Sequence, residues 1–100
     1  MNILAVGVMS GTSLDGIDIA LCRFSDSENV WSYKIIEAQT FEYPRIWIEK
    51  LTNAPHMKAD EFLILNNEYG RYTGKLINRF LRGKEIPQLI ASHGLSLIHI

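Results

Sequence analysis

The chain has 100 residues, of which 47% are hydrophobic and 21% charged, and a formal net charge of −1. That is length enough for one small domain with a modest core. The near-neutral balance argues against a nucleic-acid surface, an acidic tail or a polybasic membrane patch. Cys22 is the single cysteine. It can form no internal disulfide, which fits a reducing cytoplasm. It reads as a small buried filler rather than a nucleophile. The opening Met1-Asn2-Ile3-Leu4-Ala5-Val6-Gly7-Val8 lacks a basic segment and has too short an apolar run for a signal peptide. No stretch approaches the ~20 apolar residues of a membrane span, so the expected location is the cytoplasm.

In chain order, residues 3–9 form an apolar run that predicts a buried strand, and residues 16–24 predict a returning one. Ser25-Asp26-Ser27-Glu28-Asn29 has turn composition. Residues 30–41 predict a third strand, with Trp31, Tyr33, Ile35 and, after a break, Thr40-Phe41 as its β-formers. Three strands joined by tight turns make an antiparallel meander. Pro44 suits the first position of a short helix with Ile46, Trp47, Ile48 and Leu51 facing inward, ended by Asn53-Ala54-Pro55. A long helix is predicted over 59–82. Phe62, Leu65, Tyr69, Tyr72, Leu76 and Phe80 recur at three- and four-residue steps, widened by Ile77 and Leu81. Asp60 and Glu61 begin it and Arg79 and Arg82 end it, which complements the helix dipole; Gly83 suits the position after its end. Gly70 and Gly74 each cost a helix about 1 kcal/mol against Ala; close packing on the sheet is the expected reason for them, with a ligand-facing gap as the alternative. After a turn at Lys84-Glu85-Ile86-Pro87, residues 88–92 predict a fourth strand with Leu89-Ile90-Ala91 as its buried centre, able to lie parallel to the first.

The chemistry concentrates between the first two strands. Gly7, Gly11 and Gly16 punctuate a turn that also holds Ser10, Thr12, Ser13, Asp15 and Asp18. Glycine lets backbone N–H groups approach and cradle phosphate oxygens, and Thr12 and Ser13 add hydroxyl donors. Asp15 and Asp18 repel phosphate directly but suit a Mg²⁺ that bridges to it. Two sharper motifs fail. Gly11 and Gly16 have the P-loop spacing, but Ile17-Asp18 stands where Lys and a hydroxyl belong. Gly11-Thr12-Ser13-Leu14 starts a nucleophile elbow, but Asp15 replaces its closing glycine and the exit is a strand.

The stretch Gly7-Val8-Met9-Ser10-Gly11-Thr12-Ser13-Leu14-Asp15-Gly16-Ile17-Asp18 resembles the N-terminal signature of anhydro-N-acetylmuramic acid kinases, members of the actin/hexokinase/Hsp70 ATPase superfamily. The resemblance implies an α/β, ribonuclease-H-like (actin/hexokinase-type) N-terminal subdomain, incomplete here: a three-strand meander, a short helix, a long helix and a fourth strand. It implies a cytoplasmic sugar kinase of peptidoglycan recycling that uses ATP and Mg²⁺. The enzyme opens and phosphorylates 1,6-anhydro-N-acetylmuramic acid, giving N-acetylmuramic acid 6-phosphate. Gly11, Thr12, Ser13, Leu14, Asp15, Gly16, Ile17 and Asp18 match the family's ATP phosphate loop, with Asp15 or Asp18 organising Mg²⁺ through water. Ala91-Ser92-His93-Gly94 resembles a Ser/Cys-His-Gly motif of the family, which places His93 and Gly94 toward the substrate or phosphates.

After Gly94 the family continues with Gln-Thr, whereas this chain reads Leu95-Ser96-Leu97-Ile98-His99-Ile100. Those residues are the frame translation of a common transposase adapter end, CTG TCT CTT ATA CAC ATC. The expectation is that residues 1–94 are the N-terminal part of an ATPase domain and residues 95–100 an adapter-derived tail. The catalytic aspartate and the adenosine-binding segment are then expected downstream, so the 100 residues alone should be inactive. The expected partner is the small sugar, with no nucleic acid and no membrane, and the full-length chain could be a homodimer. The competing reading is a non-enzymatic α/β phosphate-binding or interaction module. A hydrolase using Ser13 or Cys22 ranks last, because neither has a matching base.

Overall fold

The computed structural model describes residues 2–10 and 16–92. The expected order is observed: β1 (Asn2–Ser10), β2 (Gly16–Ser27), β3 (Val30–Glu42), α1 (Arg45–Asn53), a 3₁₀ turn (Ala54–His56), α2 (Ala59–Phe80) and β4 (Leu89–Ser92). The sheet runs β3-β2-β1-β4. β1–β2 and β2–β3 pair antiparallel, and β4 lies parallel to β1. This is a meander followed by a helical crossover.

Strand alternation decides the two faces. Leu4, Val6 and Val8 of β1 and Ile17, Ile19 and Leu21 of β2 are all buried. They meet Trp47 and Leu51 of α1 and Leu65, Tyr69, Leu76, Ile77 and Phe80 of α2 in one core. Burying each such aliphatic side chain contributes about 1.5–3 kcal/mol. The opposite face carries Gly7, Met9, Asp18 and Ala20, and no described helix covers it.

Several local expectations are corrected. β2 runs to Ser27, and the turn contracts to Glu28 and Asn29, both at positive φ (52° and 67°). That is the two-residue hairpin geometry whose twist matches the flanking strands. The break foreseen in β3 is a bulge: Leu21 pairs with Glu37 and Cys22 with Ile35, so Ile36 stands unpaired between them. Pro44 sits one position before α1, with extended ψ of 155°, and its carbonyl accepts from the N–H groups of Trp47 (2.9 Å) and Ile48 (3.2 Å). Ile46 and Ile48 are exposed, because only Trp47 and Leu51 fall on the strip of α1 that meets the core.

α2 ends at Phe80 rather than Arg82. Gly83 takes φ of +78° and the Lys84 N–H turns back to the Leu81 carbonyl, which stops the helix. A Cβ on Gly70 or Gly74 would meet nothing within 4 Å, so close packing is not their reason. Leu89, Ile90 and Ala91 are exposed, because β4 is an edge strand paired only with β1 among the described residues. Its register is pinned just upstream: Gln88 accepts the Leu4 N–H on its side-chain oxygen and donates its own N–H to the Leu4 carbonyl, both at 2.8 Å. Cys22 is half-buried rather than buried.

Candidate functional site

β1 and β2 stay paired up to Ser10 and Ile17, so the ladder is continuous to the ends of both strands. Parallel β4 ends on the same side: Ser92 pairs with Val8, two residues short of the end of β1. The carboxyl ends of β1 and β4 therefore lie at the same edge of the sheet, the edge at which open α/β sheets bind ligands. On the sheet face away from the helices lies an apolar-walled concavity of about 530 Å³, lined by Gly7, Val8, Met9, Asp18, Ala20, Ala91 and Ser92.

Of the residues expected to bind nucleotide, Gly16, Ile17 and Asp18 are described. Gly11, Thr12, Ser13, Leu14 and Asp15 lie outside the described residues, as do His93 and Gly94. Gly16 pairs with Glu42, and a Cβ on it would stand 2.3 Å from the Phe41 carbonyl oxygen. Here the glycine is required by close backbone approach. Ile17 has no exposed surface and points into the core, so it anchors the segment and offers a ligand only its backbone. Asp18 is exposed at the rim of the concavity, and the Thr40 hydroxyl across the strand pair donates a hydrogen bond to its Oδ1.

Tyr43 follows directly on Glu42, the partner of Gly16. Its hydroxyl lies 2.6 Å from that of Tyr69. Trp47 stacks on Tyr72 with centroids 5.0 Å apart and meets Tyr69 edge-on at 5.6 Å. Burial, then the hydrogen bond to Tyr69, push the Tyr43 phenol above its ordinary range; burial also raises Tyr72. These rings pack together where α1 and α2 meet the core. Lys50 closes the seam between the helices, 2.8 Å from Glu68 and over the Trp47 ring. On the far flank Lys84 pairs with Glu37 at 2.9 Å, tying the end of the crossover to β3.

Among the described residues no three His, Cys, Asp or Glu side chains gather to hold a metal. The polar group at the rim is the Asp18 carboxylate, an oxygen ligand, with the Thr40 hydroxyl bonded to it from β3. One carboxylate on an open concavity fits a hard cation that keeps most of its waters, as Mg²⁺ does on phosphates. It does not fit an all-protein cage. Among the described residues no helix is long and apolar enough to cross a membrane.

The family model described as anhydro-N-acetylmuramic acid kinase matches residues 3–100. The chain belongs to the anhydro-N-acetylmuramic acid kinase family. The anhydro-N-acetylmuramic acid kinase of Francisella tularensis subsp. novicida (strain U112) is 34% identical over 101 residues, covering 94% of this chain and 26% of that protein. That of Saccharophagus degradans (strain 2-40) is 33% identical over 103 residues, covering 96% and 27%. That of Pseudoalteromonas atlantica (strain T6c) is 30% identical over 103 residues, covering 96% and 26%. The chain thus spans about a quarter of the length of the curated relatives it matches. The mixed four-strand sheet with two helices is consistent with an incomplete actin/hexokinase-like N-terminal subdomain of an anhydro-N-acetylmuramic acid kinase.

Thr40, the Tyr43–Tyr69 pair and Gln88 were not among the residues that sequence reasoning singled out for the site. A strand pattern names β-formers but not cross-strand partners, and only the pairing register joins Thr40 to Asp18.

Proposed function

We propose that the full-length protein carrying this segment is a cytoplasmic kinase that uses ATP to open the 1,6-anhydro ring of 1,6-anhydro-N-acetylmuramic acid and form N-acetylmuramic acid 6-phosphate in peptidoglycan recycling. The observation that carries this reading is the family match over residues 3–100, which spans the glycine-rich segment between β1 and β2.

In this reading Gly11, Thr12, Ser13, Leu14, Asp15, Gly16, Ile17 and Asp18 hold the ATP phosphates through backbone N–H groups and hydroxyls. Asp15 or Asp18 organises Mg²⁺ through water, and the ion, when bound, neutralises charge on the transferring phosphoryl group. His93 and Gly94 face the sugar or the phosphates. Gly16 holds the exit of the segment against β3, and Ile17 anchors it in the core. The catalytic base belongs to the remainder of the protein. There, a carboxylate activates water to attack the anomeric carbon, the C1–O6 bond breaks, and the freed 6-oxygen takes the γ-phosphoryl group, leaving ADP. Positioning and charge neutralisation supply most of the rate in such transfers.

The test is to incubate the full-length protein with ATP, Mg²⁺ and the anhydro sugar and identify products by mass spectrometry. N-acetylmuramic acid 6-phosphate formed one-for-one with ADP supports the reading; an unchanged sugar overturns it. The assignment of residues 95–100 to adapter sequence is tested by reading the gene through its 3′ end. Codons continuing as Gln-Thr after Gly94 support it; the same six codons in independently prepared DNA contradict it.

A further inference from the structure

We propose that Thr40 is a positioning residue for the Asp18 carboxylate, holding one of its oxygens so that the other faces a metal-bound water at the rim of the concavity. The inference rests on the reading of Asp18 as a Mg²⁺-organising residue and adds a residue from a different strand to that site.

Three observations carry it. Thr40 Oγ1 donates a hydrogen bond to Asp18 Oδ1 across the β2–β3 ladder, where the two residues are direct partners. Asp18 is exposed and lines the concavity beside Gly7, Met9 and Ser92, so its carboxylate is available to a ligand there. The pair is held in register on one side by Gly16 against the Phe41 carbonyl and on the other by the bulge at Ile36.

An exposed aspartate on a strand samples several rotamers, and fixing it on binding costs conformational entropy. Threonine is stiff at χ1, because two heavy atoms on its Cβ limit the rotamers open to it. A threonine hydroxyl fixed by the ladder therefore selects one Asp18 orientation before the ligand arrives. The same bond takes one acceptor position of Oδ1, and the inference assigns Oδ2, which lacks that bond, to a metal-bound water. Partners of this kind, which orient a ligating carboxylate without touching the ion, commonly alter metal affinity strongly when removed. Thr40→Val keeps the branched shape and the strand preference while deleting the donor. Thr40→Ser keeps the donor.

The experiment uses the full-length protein and titrates Mg²⁺ in the presence of a non-hydrolysable ATP analogue, following binding calorimetrically. Thr40→Val is expected to raise the Mg²⁺ concentration at half-maximal nucleotide binding by about tenfold, and Thr40→Ser to stay within about twofold of wild type. In turnover, Thr40→Val should raise the KM for Mg²⁺ with little change in kcat at saturating Mg²⁺. A Thr40→Val midpoint equal to wild type overturns the inference and leaves the kinase reading intact. A Thr40→Ser protein as impaired as Thr40→Val overturns it too, since the methyl rather than the hydroxyl would then matter. Nucleotide binding by wild type that ignores Mg²⁺ overturns both the inference and the assignment of Asp18 beneath it.

Discussion

A Cβ on Gly16 would stand 2.3 Å from the carbonyl oxygen of Phe41, so the exit of the glycine-rich segment and the end of β3 meet backbone to backbone. No side chain can yield to relieve that contact. Gly16→Ala must therefore push β2 away from β3 at Glu42, next to the Asp18–Thr40 pair. The expected cost is about 1–3 kcal/mol of stability, with a larger proportional loss of nucleotide affinity than of folded protein. Chemical denaturation and nucleotide titration of the full-length variant check both.

The buried hydroxyls of Tyr43 and Tyr69 satisfy each other at 2.6 Å. Tyr43→Phe leaves the Tyr69 hydroxyl without that partner and should cost about 1–3 kcal/mol. Replacing both tyrosines by phenylalanine removes donor and acceptor together and should cost less than the sum of the two single changes. A double-mutant cycle by urea denaturation measures the difference.

The same pair predicts an alkaline limit. The Tyr43 phenol is raised in the folded protein by burial and then by Tyr69, whereas unfolding returns it to an ordinary value of about 10. The folded state therefore holds its proton more tightly. The stabilisation is fully present below that value and is lost as pH rises above it. Melting temperature measured across the alkaline range should fall more steeply for wild type than for the Tyr43→Phe, Tyr69→Phe double variant.

Gly70 is exposed within α2, and a Cβ there would meet nothing within 4 Å. Gly70→Ala is therefore expected to stabilise the protein by about 0.4–1 kcal/mol, through helix propensity and a less flexible unfolded chain. Thermal denaturation checks it; a loss of stability would show that the position needs glycine for a contact made elsewhere in the full-length protein.

What was legible in the sequence follows from which interactions are local. The alternation of Leu4, Val6 and Val8 and the three- and four-residue steps of Leu65, Tyr69, Tyr72, Leu76 and Phe80 each mark a face, and those faces form the core. The composition of the Gly-rich segment suited phosphate but equally a plain hairpin loop, and it was the contiguous match of residues 7–18 to the family signature that pointed to a nucleotide site. Burial of Leu89 and Ile90 was misjudged because hydrophobicity does not say whether a strand is central or at an edge. Ile46 and Ile48 were misjudged because α1, at nine residues, buries only a narrow strip. The Thr40–Asp18 pair was out of reach for a sharper reason. Counted back from the Glu28-Asn29 turn without a bulge, Asp18 would face Gln39; the extra residue at Ile36 moves it to Thr40. The break in β-formers after Ile35 marked the place, but not that one residue there is extra, and so not the register beyond it.

The most direct test of the kinase account is to run the reaction of the full-length protein with ATP and the anhydro sugar in heavy-oxygen water. The account predicts heavy oxygen at C1 of the product, the original bridge oxygen at the 6-position carrying the phosphoryl group, and one ADP per product. Heavy oxygen appearing in inorganic phosphate instead, with the anhydro ring intact, would show an ATPase that does not couple to the sugar and would contradict it.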